Sequence, residues 1–188
     1  DHPHAMVDAS GPEATLCDLK AAAFAQQQVA GRHPHVLKQH FRVAGRRRPA
    51  RSVIRSLGAA GAAEVVVINR TVERAETAAL LAGAAGRVGS PGDARDADLV
   101  VNATSIGMGA PPDDTTSTPL AGDLLRPGQT VVDLVYLPVQ TPLLRHAAAA
   151  GATAVDGIGM LVHQAARAIE LWTGEVPDVD AMKTAARS

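Results

Sequence analysis

From about residue 40 onward, short apolar runs alternate with segments of helical periodicity, and this alternation limits the fold more than any other feature. Residues 64–68, 98–102 and 130–134 are typical of compact apolar strands, and 153–155 of a shorter one. Strands that alternate with helices form parallel sheets with helices on both faces. The sequence therefore predicts an α/β fold with a doubly wound parallel sheet over residues 41–188.

The helices are expected between these strands. One further strand and three helices are predicted at 41–44, 50–60, 72–82 and 158–172. Another helix should begin after Thr141, an N-cap residue, with Pro142 at its first position and Gly151 as its stop signal. In the last helix, six apolar residues recur at helical spacing and are predicted to form its buried face: Ile158, Leu161, Val162, Ala165, Ile169 and Trp172.

The N-terminal segment, residues 1–40, has weak periodicity and only one helix candidate, at 12–30, so we expect it to be irregular or partly helical. From Leu19 to Ala63 there are nine basic residues and no acidic one. Such a basic segment could contact nucleic acid, but aromatic residues are not interleaved with its basic residues and no recognised binding motif accompanies it. The formal net charge of the whole chain is -1. A nucleic-acid partner is therefore not expected.

Cysteine and histidine usage argues against disulfides and metal sites. The single cysteine, Cys17, cannot form a disulfide framework, and the apolar runs are too short to cross a bilayer, so a cytoplasmic location without a membrane partner is expected. Five of the seven histidines lie in the first 40 residues, including the pairs His2/His4 and His33/His35. No carboxylate or cysteine completes a ligand set with them, so no metal is predicted.

Ligands of doubly wound sheets bind beyond the carboxyl ends of the strands, which here selects residues 45–49, 69–74 and 102–108. In the second stretch, Arg70 follows a strand at the position where an NAD-selective fold would carry Asp or Glu, and Arg74 is one turn further on. Guanidinium groups are good donors to a phosphate, which favours a 2'-phosphate site. The alternative is a capped helix with solvated arginines.

The next two strand ends also carry polar side chains. "VVNATSIGMGA" places Asn102, Thr104 and Ser105 after one strand, and Gly107 would allow close approach of the backbone. "VVDLVYLPVQTP" places Asp133 and the only tyrosine, Tyr136, after the next. The alternatives are an ordinary turn for the first stretch and a core or rim aromatic for the tyrosine.

Four segments, "VVVINRTVERA", "NATSIGM", "VVDLVYLPVQTPLL" and "DGIGMLVHQAARAIELWTGEVP", occur in the order and at the spacing of the shikimate dehydrogenase (shikimate/quinate dehydrogenase) family, and the chain resembles that family from about residue 51 to its end. The resemblance implies a Rossmann-like NADP-binding domain of an oxidoreductase. Such an enzyme interconverts 3-dehydroshikimate and shikimate in aromatic amino-acid (chorismate) biosynthesis. It implies NADP as cofactor and a small-molecule substrate, and it leaves a homo-oligomer open.

The resemblance also implies roles for individual residues. Asn69, Arg70 and Thr71 match a run that holds the 2'-phosphate, assisted by Arg74. The remaining matches near the cofactor are Gly45, Asn102, Thr104, Ser105, Leu134, Gly157 and Met160. Tyr136 and Gln164 match substrate-binding positions; from the residues alone, Gln164 could equally mark a packing boundary on the last helix.

The sequence departs from the family before about residue 50. In "GRRRP", at 45–49, only Gly45 matches the family's glycine-rich loop, and no segment upstream matches the substrate domain with its Lys and Asp acid–base pair. No catalytic residue is therefore assigned. One hypothesis is a shifted reading frame or wrong start up to about Pro49, which sequencing of the coding DNA would test. The alternative functions are a catalytically inactive family fragment or remnant that at most binds nucleotide and, ranked below it, a basic nucleic-acid-binding protein.

Overall fold

The computed structural model of the chain describes residues 40–44 and 48–188. Six strands in this part form one sheet: β1 (His40–Ala44), β2 (Glu64–Ile68), β3 (Gly86–Val88), β4 (Leu99–Asn102), β5 (Thr130–Asp133) and β6 (Thr153–Val155). All neighbouring strands are parallel, in the order β3-β2-β1-β4-β5-β6. Because the chain reverses its direction of travel across the sheet between β3 and β4, the predicted doubly wound α/β fold is confirmed.

The connections between the strands are mostly helical. The α-helices are α1 (Arg48–Ala59), α2 (Val72–Ala79), α3 (Pro142–Ala149), α4 (Ile158–Thr173) and α5 (Val179–Ala185). Three 3-10 helices lie at Leu80–Ala85, Pro91–Asp96 and Gly122–Leu124. None of the helices in the described ranges is long and apolar enough to cross a membrane.

The sheet separates two hydrophobic cores. On one face, Val65 and Val67 of β2 pack with Ile54 and Leu57 of α1. The core on the other face includes residues of β4, β5 and α3: Val100, Val131, Leu143 and Ala147. Successive residues of a strand point to opposite faces, so continuous runs of valine supply both cores at once.

The signals around α3 act as the sequence predicts. The Thr141 hydroxyl accepts a hydrogen bond from the Leu144 N–H at 3.3 Å, and Pro142 is the first residue of the helix. After the C-cap residue Ala150, Gly151 has a φ of 74°. A left-handed residue of this kind ends a helix, and glycine adopts it without steric cost.

The fold also differs from the sequence prediction in its details. The helix expected at 72–82 ends at Ala79 and continues as a 3-10 helix, in which Gly83 has non-helical angles. The edge strand β3 and the helix α5 were not predicted.

The predicted buried face of α4 is only partly correct. Ile158 and Val162 are buried, whereas Trp172 is 83% exposed. A helix of 16 residues is about 24 Å long, whereas a strand of three residues such as β6 spans only about 10 Å. We attribute the exposure of Trp172 to its place in the last turn, where a helix of this length extends past such a short strand.

Most of the N-terminal segment, including the helix candidate at 12–30 and the two histidine pairs, lies outside the described residues. Gly45 also lies outside them, since the description resumes at Arg48. The domain boundary at residue 40 stays a prediction.

Candidate functional site

The strand register brings four strand ends into one row across the sheet. Ala44 of β1 is paired with Ile68 of β2 and with Asn102 of β4, and Asn102 is paired with Asp133 of β5. The loops that follow these residues therefore leave the same edge of the sheet. This is the edge at which doubly wound folds bind their ligands.

The loop after β2 presents two arginines beside the start of a helix. The Asn69 Oδ1 atom accepts a hydrogen bond from the Thr71 N–H at 3.1 Å, which orders the turn into α2. Thr71 is the N-cap residue, but its hydroxyl makes no capping bond. Arg70 and Arg74 are exposed, and neither guanidinium forms an ion pair within the described part of the chain. This corner thus offers uncommitted positive charge to an anion.

A buried carboxylate joins the ends of β4 and β5. Asp133 is fully buried, and its Oδ1 atom accepts hydrogen bonds from the Asn102 amide at 2.9 Å and the Val135 N–H at 3.0 Å. Its Oδ2 atom accepts from the Thr141 hydroxyl at 2.7 Å. Burial raises the pKa of Asp133, and these three hydrogen bonds lower it in part. The carboxylate therefore connects the ends of β4 and β5 with the N-cap of α3.

Asn102 also forms hydrogen bonds with the loop that follows β4. Its Oδ1 atom accepts hydrogen bonds from the Thr104 N–H at 2.9 Å and the Thr104 hydroxyl at 2.7 Å. The Ile106 N–H then donates to the Thr104 hydroxyl oxygen at 3.0 Å. Asn102 is 1% exposed, so its side chain orders the loop from below, while Ser105 is exposed at the loop's surface.

The loops after β4 and β5 also contact each other directly. The Gly109 N–H donates to the Leu137 carbonyl at 2.8 Å, and the Leu134 N–H donates to the Asn102 carbonyl at 2.9 Å. Gly107 has a φ of 92° and is buried, as a tight turn at this position requires. Tyr136 is 39% exposed beside this contact.

The start of α4 packs closely against the chain after β5. A Cβ atom on Gly157 would lie 2.7 Å from the Val135 carbonyl oxygen and 2.8 Å from that of Leu134. Only glycine therefore fits at this position without displacing backbone. Met160 is 9% exposed one turn further on, and Gln164 is exposed on the same side of the helix.

Most of the residues predicted for the site lie at this one edge. Asn69, Arg70, Thr71 and Arg74 lie at the end of β2, on one side of β1. The second group lies on or after β4 and β5 or at the start of α4: Asn102, Thr104, Ser105, Leu134, Tyr136, Gly157 and Met160. Gln164 is further along α4, and Gly45 is outside the described residues.

The sequence marks Thr141 only as a helix cap and indicates no partner for Asp133. The hydrogen bond that joins Asp133 to Asn102 spans 31 residues of sequence and depends on the register between β4 and β5. The one available signal was a polar residue at the end of each of two otherwise apolar strands. No group of three or more potential metal ligands occurs within residues 40–44 and 48–188.

Comparison with known proteins matches the chain to one family. The family of the shikimate 5'-dehydrogenase C-terminal domain matches residues 157–187. Shikimate dehydrogenase (NADP(+)) of Methanopyrus kandleri is 44% identical over 146 residues, which cover 72% of this chain and 50% of that protein. The chain thus spans about half the length of the curated relatives it matches.

Solved structures agree with this match. Shikimate 5-dehydrogenase of Thermus thermophilus, in complex with NADP(H) and shikimate, has a TM-score of 0.75 at 38% identity, over 91% of this chain and 61% of that chain. The ligand-free 5-ketofructose reductase of a Gluconobacter species has a TM-score of 0.73 at 30% identity, over 90% of this chain and 62% of that chain.

Proposed function

Because the chain carries the C-terminal domain of the shikimate dehydrogenase family, we propose that it forms the NADP-binding part of an oxidoreductase that reversibly reduces 3-dehydroshikimate to shikimate. The observation that carries this proposal is the end of β2, where Arg70 and Arg74 are exposed and unpaired within the described residues. Relatives that bear the name shikimate dehydrogenase (NADP(+)) support the same cofactor.

The β2 corner fits a 2'-phosphate in charge and in donor geometry. Two guanidinium groups can neutralise a dianion, and their planar N–H groups can donate paired hydrogen bonds to its oxygens. The Thr71 hydroxyl, which makes no capping bond, is available as a further donor. A site selective for NAD would carry a carboxylate here, and a carboxylate would repel the phosphate.

The second half of the cofactor would lie across β1, against the loops after β4 and β5. Thr104 and Ser105 would line this part of the site, and Leu134 and Met160 would lie beside the nicotinamide. NADPH, when bound, supplies the hydride that reduces the ketone. The chain's own contribution is to bind and orient the two reactants, with Tyr136 and Gln164 on the substrate side.

Reduction of a ketone to an alcohol also requires a proton donor within hydrogen-bond reach of the substrate oxygen. We assign that role to no residue in the described part of the chain. The proposed location is the cytoplasm, in keeping with a single cysteine, and the proposed ligands are small molecules rather than nucleic acid.

Calorimetric titration of the purified chain with NADPH and NADH tests the cofactor proposal. We expect NADPH to bind more tightly, and Arg70→Ala to weaken NADPH binding by roughly 10- to 100-fold while NADH binding stays unchanged. Arg95→Ala is the matched control, because Arg95 is also an exposed arginine. It pairs with Asp123, and both residues are far from β2 in the sequence. Equal affinities for NADPH and NADH in the unmodified protein would contradict the assignment.

An assay of NADPH oxidation in the presence of 3-dehydroshikimate tests the activity itself. Oxidation above the rate without substrate supports a dehydrogenase. NADPH binding with oxidation at background would instead support the alternative, a family member that binds nucleotide without catalysing the reaction.

A further inference from the structure

The described residues place one fully buried carboxylate, that of Asp133, between the two loops of the proposed nucleotide site. We propose that Asp133 is a positioning residue, which holds the loops at 103–109 and 134–138 in one fixed arrangement without touching the ligand. This inference rests on the proposed function for its ligand, but its structural half can be tested without any ligand.

Asp133 and the neighbouring backbone together fix the orientation of the Asn102 amide. The Asp133 Oδ1 atom faces two donors, the Val135 N–H and the Asn102 side chain, so the nitrogen of that amide must point towards it. Backbone groups require the same orientation, because Asn102 Nδ2 donates to the Ile106 carbonyl and Asn102 Oδ1 accepts from the Thr104 N–H. Asn102 Oδ1 is thereby fixed on the side of the loop at 103–109.

The orientation of the Asn102 amide determines where the proton of the Thr104 hydroxyl points. A hydroxyl has one hydrogen, and that of Thr104 is donated to Asn102 Oδ1 at 2.7 Å. The Ile106 N–H occupies one lone pair of the same oxygen. Towards a ligand, Thr104 can therefore only accept a hydrogen bond. Through Asn102, Asp133 determines which ligand groups this half-buried threonine can recognise: hydroxyl or amide donors rather than phosphate oxygens.

The two oxygens of the Asp133 carboxylate hold different segments of the chain. Oδ1 orders the loop after β4 through Asn102, whereas Oδ2 accepts from the Thr141 hydroxyl. Because Thr141 gives its proton to Oδ2, its lone pair is free to cap the Leu144 N–H at the start of α3. Substitutions that remove one oxygen or both should therefore have different effects.

Strand order separates this network from the proposed 2'-phosphate corner. β4 and β5 lie on one side of β1, and β2 lies on the other. A ligand that carries only the adenosine half, adenosine 2',5'-bisphosphate, should contact Arg70 and Arg74 but not the loops that Asp133 holds. Comparing it with NADPH distinguishes loss of loop position from general damage to the fold.

The experiment compares the unmodified chain with Asp133→Ala, Asp133→Asn and the control Val131→Ala, which removes buried volume from the same strand. Calorimetry measures affinity for NADPH and for adenosine 2',5'-bisphosphate, and amide hydrogen exchange is followed in the nucleotide-free proteins. We expect Asp133→Ala to weaken NADPH binding about tenfold, with the bisphosphate unaffected, and to speed exchange at Thr104 and Ile106. Asn102→Ala should do the same, and serves if Asp133→Ala does not fold.

Asp133→Asn keeps an oxygen at the Oδ1 position, so it should restore most of the lost NADPH affinity and the protection of Thr104. Exchange at Leu144 should still rise, because the new amide nitrogen cannot accept the Thr141 proton. The inference is overturned if Asp133→Ala behaves like Val131→Ala, if both ligands weaken equally, or if exchange at Thr104 and Ile106 is unchanged. Failure of the unmodified chain to bind either ligand would contradict the proposed function. The hydrogen-exchange data would still test whether Asp133 positions the two loops.

Discussion

Replacing Gly157 by alanine tests how tightly α4 is fitted to the end of β5. An added Cβ would lie 2.7 Å from the Val135 oxygen, 2.8 Å from the Leu134 oxygen and 2.9 Å from the Leu134 carbonyl carbon. Ordinary contact begins at 3.4 Å, so the start of the helix would have to shift by about 0.7 Å. All three atoms belong to the backbone and cannot rotate away.

The energetic cost follows from that shift. Overpacking by one carbon in a rigid site costs about 1–3 kcal/mol. Alanine also lowers the conformational entropy of the unfolded chain relative to glycine, which offsets about 0.4–1 kcal/mol of this cost. A net loss of roughly 1–2 kcal/mol should lower the melting temperature of a domain of this size by about 2–8 °C. The same shift displaces Leu134, so NADPH affinity should fall as well.

Thermal unfolding followed by circular dichroism measures the effect, with Gly92→Ala as the matched control. Gly92 has its nearest neighbour, Ser90 Oγ, at 3.7 Å, and its φ is not positive. Alanine should therefore be neutral there, or stabilising by up to about 1 kcal/mol. If the Gly157→Ala variant has the same melting temperature as Gly92→Ala, the inference that α4 packs closely against the end of β5 is wrong.

Three further substitutions probe the interior and the surface. Relative to Asp133→Asn, the unmodified protein should lose stability as the pH rises above about 3.8, because burial raises the folded-state pKa of Asp133 and the ionised form is the costly one; urea unfolding across pH measures this, and a gain in the stability of the unmodified protein over the variant as the pH rises would contradict it. Gln129→Ala should cost about 3 kcal/mol in urea unfolding, since it removes donors to the Ala94 and Ala97 carbonyls in a fully buried site; a loss below that of an ordinary surface substitution would argue against this role. Arg87→Ala should cost at most about 1 kcal/mol, and less in high salt, because its pairing with Glu64 is partly exposed; a larger, salt-independent loss would refute that estimate.

The arrangement of the sheet could be predicted because its signals are local. Valine-rich runs define β2, β4 and β5, and the order of helices and strands then allows few topologies. Thr141 and Pro142 determine the start of α3 through their own backbone chemistry. The strand-end rule also selected the edge of the sheet at which the candidate residues lie.

What could not be predicted depends on contacts between distant segments. The strand β3 has three residues and no apolar alternation, so it is defined by pairing with β2 rather than by its own sequence. The hydrogen-bond network around Asp133 requires β4 and β5 to be in register, and no local pattern specifies that register. Sequence patterns indicate even less that the Thr104 hydroxyl can only accept a hydrogen bond from a ligand, because this property depends on the orientation of the Asn102 amide.

The exposed position of Trp172 gives the protein an optical property. It is the only tryptophan, and its side chain is 83% exposed in the folded chain. Its indole emission should therefore resemble that of the unfolded chain, so intrinsic fluorescence will follow denaturation of the sheet poorly. The same emission will report, without any label, on whatever later covers the end of α4: a shift to shorter wavelength there signals coverage rather than folding.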